Sequence, residues 1–476
     1  MTIHQNLIGG QWTGTETRPD INPSNTNDVV GEFSSATRQD AEQAIAAAKA
    51  AFPAWSRSGI MERHTLLRKT AQEIRARSDE IGYLLSREEG KTLAEGVGET
   101  LRAAQIFDFF AGEALRLNGE AVPSARPGIG VEVTREPVGV VGIITPWNFP
   151  VAIPAWKIAP ALCYGNTVVF KPAELVPGCA WTLVDILHRA GLPEGVLNLV
   201  MGEGAVVGQA MVDSPDIDAI TFTGSVGTGK RIAAACVERM CKVQLEMGGK
   251  NPLVILDDAD LDTAVDVALN GSFFSTGQRC TASSRLIVTE GIHDRFVTAL
   301  TERLRKVIVD DALKPDTQIG PVVDQNQLDQ DVDYISIGKN EGANLAFGGD
   351  LLNRSTPGFY LQPALFTECR NDMRICQEEI FGPVASVIRV RDADEALAMA
   401  NDIPFGLSAG VCTESLKMAT HFKRNLEAGM VMVNLPTAGV DFHVPFGGRK
   451  ASSYGPREQG SYASEFYTTV KTAYTV

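Results

Sequence analysis

The chain has 476 residues, 44% hydrophobic and 21% charged, enough to bury a large core and to form roughly two or three domains. A formal net charge of -15 with no basic run excludes a nucleic-acid surface or an anionic membrane as partner, and an anionic small molecule would need a local cation. The first residues lack the basic-then-apolar pattern of a signal peptide, and no apolar run is long enough to span a membrane. None of the eight cysteines forms a Cys-x-x-Cys pair and the six histidines are scattered, so neither a metal site nor a disulfide framework is expected, and a reducing cytoplasm fits.

In chain order, residues 7–12 predict a short strand pair turned at Gly9-Gly10. Thr37 to Asp40 forms a capping-box pattern before an alanine-rich helix over 41–52 that ends at Pro53. Amphipathic stretches over 63–77, 79–89 and 94–117 continue a helical layer. Residues 118–136 carry Pro123, Pro127, Gly128 and Gly130 before an alternating run, and read as an extended excursion. From Pro137 apolar runs over 138–145, 167–170, 196–200 and 219–222 alternate with helices near 180–190, 205–212 and 228–241. This predicts an α/β fold with a parallel sheet covered on both faces, whose ligands bind beyond the carboxyl ends of the strands. A second α/β unit follows, with strands at 253–256 and 286–289, helices at 261–272 and 293–309, and an end near Phe446. Residues 465–476 alternate as a strand with no partner nearby in sequence; with the 118–136 excursion they are a candidate for pairing with another subunit.

Several motifs carry chemistry. Phe222-Thr-Gly-Ser-Val-Gly-Thr-Gly-Lys230 follows a strand and opens a helix. It nearly spells a P-loop, but Arg231 stands where a magnesium-binding Ser or Thr belongs, which disfavours an NTPase. Gly202, Gly204 and Gly208 have one residue too many for a Gly-x-Gly-x-x-Gly fingerprint. A phosphate cradle at a helix N-terminus and an ordinary tight turn both remain open. Thr145-Pro-Trp-Asn-Phe-Pro150 holds the Asn148 amide on rigid backbone, as an oxyanion donor or a turn cap. Lys171-Pro-Ala-Glu174 can bind ribose hydroxyls or form a surface ion pair. Glu246, between Leu245 and Met247-Gly-Gly, reads as a capped loop acid or a tuned general base. Cys280 sits in Phe274-Ser-Thr-Gly-Gln-Arg-Cys and reads as an ordinary loop cysteine or as a reactive thiol, since Arg279 beside it is a cation of the kind that lowers a thiol's pKa.

In this order, and with Glu378-Glu-Ile-Phe-Gly-Pro383 and Pro445-Phe-Gly-Gly448, the motifs resemble the aldehyde dehydrogenase superfamily across essentially the whole chain. The resemblance implies a Rossmann-like cofactor domain (1–117 and 138–248), an α/β catalytic domain (249–448) and a small β oligomerisation arm (118–137 and 457–476), assembled as a homodimer or homotetramer. It makes Cys280 the nucleophile, which forms a thiohemiacetal and then a thioester, Asn148 the oxyanion donor, and Glu246 the base that activates water. Lys157 and Glu458 would belong to a proton relay. The cofactor would lie along Thr145, Pro146, Trp147, Lys171, Glu174, Gly204, Gly208, Phe222, Gly224, Ser225, Glu379 and Phe381. A carboxylate at Glu174 accepts from a free 2′-hydroxyl and repels a 2′-phosphate, so NAD is implied over NADP, with use of both left open.

Trp156, Phe274, Arg279 and Thr281 would line the substrate tunnel. Trp156 and Phe274 stand where succinate semialdehyde dehydrogenases carry carboxylate-binding arginines, a departure from that activity. The strings around Cys280 and over 445–460 look most like α-ketoglutaric semialdehyde (2,5-dioxovalerate) dehydrogenases, in which case Arg279 or Arg457 would neutralise the α-keto acid end. Succinate or glutarate semialdehyde, a broad range of aldehydes, an acylating reaction to coenzyme A and an inactive binding protein are the alternatives. Glu246 argues against the acylating reaction, and the presence of both Cys280 and Glu246 argues against inactivity.

Overall fold

Two predominantly parallel sheets organise the chain in a computed structural model that describes residues 3–476. The first sheet runs, in spatial order, through Ser453–Tyr454, Lys242–Met247, Ala219–Gly224, Val140–Ile144, Thr167–Lys171, Leu197–Leu199, Asn6–Ile8 and Gln11–Thr13. Its five central strands are parallel, and the outer ones pair antiparallel. Val140–Val141, Ile143 and Thr167–Lys171 are buried because helices cover both faces, which explains their unbroken apolar runs. The hairpin at the far edge turns on Gly9 and Gly10, both at positive φ, as the sequence predicts.

The second sheet runs Asn344–Phe347, Ala364–Thr367, Val384–Val390, Ser283–Thr289, Asn251–Ile255, Ser408–Cys412 and Met430–Val433, with only the first strand antiparallel. The chain passes from one sheet to the other in the three residues between Met247 and Asn251. Glycine is required there: a Cβ on Gly248 would lie 1.9 Å from Glu379 Oε2, and one on Gly249 would lie 2.8 Å from the Cys280 carbonyl oxygen. The carboxyl ends of the first sheet's strands therefore face segments that enter the second sheet's strands.

The predicted helices are present, with shifted ends. The first runs Arg38–Trp55, closed at Thr37 by the capping box with Asp40. Pro53 does not end it: proline falls in the last turn, where its missing N–H removes one terminal bond. Ala152–Cys163 is a helix with no counterpart in the sequence reading; all of its residues are buried, so it has no polar face and no 3.6-residue period to detect. Lys242–Met247 is a strand and not the loop expected around Glu246: Val243, Leu245 and Met247 enter the core while Gln244 and Glu246 point the other way.

Glu120–Pro123, Gly130–Pro137 and Thr468–Thr475 form a separate antiparallel sheet. The C-terminal strand thus has its partner within the chain, far away in sequence. It is still an edge strand, and Val470 and Tyr474 on it are exposed.

Candidate active site

Cys280 lies in a loop that the backbone holds under strain. Ser275, Thr276 and Gly277 have φ of 51°, 58° and 67°, a left-handed run that costs the two non-glycine residues on the order of 1 kcal/mol or more each. Several contacts hold it. A Cβ on Gly277 would meet the Gly382 carbonyl oxygen at 2.2 Å. Glu95 Oε1 accepts from the Ser275 N–H (2.9 Å) and hydroxyl (2.8 Å), and Gln278 Oε1 accepts from the Val323 N–H (3.0 Å). Beyond the cysteine, Asn251 Nδ2 donates to the carbonyl oxygens of Cys280 (2.8 Å) and Ala282 (2.9 Å).

Asn148 reaches the same loop from the other sheet. It is buried, and its Nδ2 donates to the Gln278 carbonyl oxygen at 3.0 Å, two residues before the sulfur. One amide hydrogen remains, and Asn148 lines the same cavity as Cys280. Its own carbonyl oxygen accepts from Lys91 Nζ, which also pairs with Glu99 Oε2 at 2.8 Å. Glu99 Oε1 in turn accepts from the Val151 and Ala152 N–H groups, both at 3.0 Å. Lys91, Glu95 and Glu99 thus tie the loops of Asn148 and Cys280 together, a role that the sequence reading missed. The only sequence signal was the charge-dense run from Glu88 to Glu99 at a break between helices.

Burial pushes the Cys280 thiol up to about 12, helped by the carboxylates of Glu379 and Glu246. This corrects the expectation from sequence that Arg279 lowers it. Arg279 turns away, with Nη2 3.5 Å from Glu95 Oε1 and Nη1 3.5 Å from Asn270 Oδ1, and its charge is matched there. Glu246, at the end of its strand, is fully enclosed, and its Oε2 accepts from the Ser453 hydroxyl at 2.6 Å. Burial raises its carboxyl well above the usual range, and Glu458 adds to that by repulsion. Glu458 bonds to Lys157 Nζ, which also donates to Thr221 Oγ1 at 2.7 Å. Glu458, Lys157 and Thr221 therefore form one buried bonded network whose charges act on Glu246, while Ser453, which was not foreseen, bonds Glu246 directly.

Cavities approach the sulfur from two sides. On one side, a groove of about 760 Å³ is lined by Thr145, Lys171, Glu174, Gly204, Gly208 and Phe222, among others. Pro146, Trp147, Gly224 and Ser225 connect it to a chamber of about 350 Å³ that holds Asn148, Glu379, Phe381 and Cys280. All twelve residues expected to hold a cofactor line this path. Ser225 caps the helix Val226–Glu238. Glu174 Oε1 accepts from the Gly204 N–H (2.7 Å) and from Lys171 Nζ (3.3 Å), leaving Oε2 with Arg18 at 3.9 Å. Trp147 and Phe381 meet edge to face at 5.4 Å. Glu379 Oε1 accepts from the Gly249 N–H at 2.9 Å, and burial raises its carboxyl to about 7. On the opposite side, a cavity of about 370 Å³ holds Trp156, Phe274, Arg279 and Thr281. Arg457 does not line it: that side chain packs against Gly447, next to Glu246. Among the described residues, Cys280 alone lines both this cavity and the chamber.

The chain is similar to known proteins in sequence and fold. The model of the aldehyde dehydrogenase family matches residues 12–473. An α-ketoglutaric semialdehyde dehydrogenase of Bacillus subtilis is 46% identical over 98% of this chain and 97% of its own. A 2,5-dioxopentanoate dehydrogenase of Saccharolobus solfataricus is 42% identical over 96% of this chain and 95% of its own. The crystal structure of a betaine aldehyde dehydrogenase from Staphylococcus aureus in complex with NAD+ superposes with a TM-score of 0.97 at 36% identity, covering 99% of this chain and 95% of that one. With a family match over nearly its whole length, this chain belongs to the aldehyde dehydrogenase family.

Proposed function

We propose that the enzyme oxidises α-ketoglutaric semialdehyde to α-ketoglutarate with NAD, through a covalent intermediate on Cys280. The observation that carries this reading is the meeting of two cavities at that one sulfur, one suited to a dinucleotide and the other to a small aldehyde. The relatives named for α-ketoglutaric semialdehyde and 2,5-dioxopentanoate, two names for one compound, support the substrate.

The residues along the groove fit a dinucleotide. Thr145 Oγ1 and Thr223 Oγ1 are buried in its wall without a partner among the described residues, so the groove has polar atoms to offer. Ser225 and the helix N-terminus behind it would hold the pyrophosphate, Lys171 and Glu174 the adenosine ribose, and Glu379 the nicotinamide ribose. When bound, NAD supplies a hydride acceptor.

The protein's own groups perform the remaining steps. Cys280 gives its proton to water in the cavity and its sulfur bonds to the aldehyde carbon, so that the carbonyl π electrons move onto oxygen. The free Asn148 amide hydrogen and the Cys280 N–H stabilise that oxyanion. Loss of hydride from the same carbon restores the C=O and leaves a thioester. Glu246 takes a proton from water as the water oxygen attacks the thioester, the C–S bond breaks, and the acid leaves with the thiolate restored. The proton then has a buried exit along Glu458 and Lys157. Because Glu246 is enclosed and its carboxyl raised, its side chain must lose a proton and turn toward the sulfur to act.

The purified enzyme should reduce NAD with 2,5-dioxovalerate at a higher kcat/KM than with succinate semialdehyde, glutarate semialdehyde, betaine aldehyde or pentanal. It should do so without coenzyme A, releasing free acid. A preference for any of the other aldehydes, or a requirement for coenzyme A, would overturn the assignment.

A further inference from the structure

The substrate cavity has three cations in its wall, and they differ in how their charge is met. Lys91 is paired with Glu99, and Arg279 with Glu95. Arg102, on the helix Leu93–Glu113, has no carboxylate within 4 Å among the described residues; Glu99 and Asp441 act on it only from beyond ion-pair distance. Its Nε has no acceptor, which is also true of Arg279 Nε; the difference is that Arg279 has the Glu95 carboxylate at 3.5 Å, whereas Arg102 Nη2 makes a single long contact of 3.4 Å to the neutral Gln459 Oε1. Two carboxylates against three cations leave the cavity with one unmatched positive charge, in a protein whose net charge is -15.

A second feature of the wall points to the same kind of ligand. Trp156 is 5% exposed, and its indole N–H has no acceptor among the described residues. The Arg102 guanidinium lies 5.8 Å from the Trp156 ring. Both side chains line the cavity that ends at Cys280, and Arg102 is near enough for its charge to be felt there. A buried donor left without a partner is costly unless something else completes it, and a guanidinium presents paired N–H groups that match a carboxylate.

We infer that Arg102 holds the carboxylate of an ω-oxo-acid substrate, with the Trp156 N–H as a further donor to its oxygens, so that the aldehyde end is directed at Cys280. This rests on the proposed function and replaces both arginines that the sequence suggested for that task. Arg279 is already paired, and Arg457 lies outside the cavity. The same unmatched charge works against a quaternary ammonium aldehyde, which would bring a second cation next to it.

The test is a ratio. kcat/KM for 2,5-dioxovalerate, divided by kcat/KM for pentanal, is measured at saturating NAD in the wild type, Arg102→Met, Arg102→Lys and Arg279→Met. Loss of a charged hydrogen bond predicts a fall in the ratio of roughly 10- to 150-fold for Arg102→Met, carried by KM for the oxo acid. Arg102→Lys should fall in between, because it keeps the charge and loses the fork. α-Ketoglutarate, as a competitive inhibitor, should lose affinity in parallel. Thermal unfolding and NAD affinity show whether each variant is folded; if Arg102→Met is not, Arg102→Lys carries the test. An equal loss with both aldehydes, an unchanged ratio, or a larger fall with Arg279→Met would overturn the assignment of Arg102. A wild type without preference for oxo acids would overturn the proposed function and this inference with it, whereas a preference that survives Arg102→Met removes only the inference.

Discussion

The groove proposed for the dinucleotide takes its walls from the segments that follow five parallel strands, Val140–Ile144, Thr167–Lys171, Leu197–Leu199, Ala219–Gly224 and Lys242–Met247. The substrate cavity is assembled from the helices Leu93–Glu113 and Ala152–Cys163, the loop before Cys280 and the stretch around 438–446. In the first, each functional side chain stands within a few residues of a strand end, so it appears in the sequence as a short motif at a predictable place. In the second, Arg102, Trp156 and Arg279 come from separate elements and meet only through packing. A nucleotide can be held by backbone N–H groups and a few carboxylates in fixed loops. A small aldehyde is selected by the shape and charge of a pocket that no single segment defines.

The largest expected effect is at the point where the two sides join. Cys280→Ser should lower dehydrogenase kcat by about 10⁴-fold or more, since the covalent path is lost. NAD binding, followed by fluorescence titration, should persist; a parallel loss of NAD affinity would show that the two sides are not separable at the sulfur.

Glu246→Gln comes next. If hydrolysis of the thioester depends on this base, steady-state kcat falls by about 10²- to 10⁴-fold. Rapid mixing should then show a burst of about one equivalent of NADH per site before the slow phase. Absence of a burst would place Glu246 ahead of the oxidation step.

On the cofactor side, Glu174→Gln is the counterpart of Arg102→Met. Removing the charge that faces the ribose should lower the NAD-to-NADP ratio of kcat/KM by about tenfold or more. Arg18, 3.9 Å from the Glu174 carboxylate and paired with Glu203, then adds a cation beside the site of a 2′-phosphate with one carboxylate fewer to offset it. An unchanged ratio would mean that cofactor choice is made elsewhere.

The smallest step concerns pH. The free thiol stands raised to about 12 by burial and neighbouring carboxylates, so its neutral form dominates at pH 7 and the thiolate fraction grows with pH. Alkylation of Cys280 by iodoacetamide in the cofactor-free enzyme should therefore quicken by about tenfold per pH unit from 7 to 9. A plateau below pH 9 would contradict this reading of the site's electrostatics. The other seven cysteines are buried, so peptide mapping assigns the reaction to Cys280.

How far the sequence could be read follows the same division. The parallel strands of the first sheet were legible because burial on both faces demands continuous apolar runs. The helix Ala152–Cys163 was not, because burial on all sides removes its period. Glu246 could be named as a candidate from its motif, but its strand was visible only as a weak alternation over Val243, Leu245 and Met247. Lys91 and Glu99 stood among ordinary-looking charges on a helical layer, and nothing local says that they are buried against Asn148.

By itself, the sequence determined the α/β class, the order of the strand-end motifs, and Cys280, Glu246 and Asn148 as candidates, because these depend on local period, turn chemistry and residue type. The tertiary structure decided which charges remain unmatched. Arg279 finds Glu95 across 184 positions of chain, Arg457 packs behind Gly447, and Arg102 is left facing the cavity. Electrostatic pairing depends on distances of a few ångströms between segments far apart in the chain, and only the packed fold sets those distances.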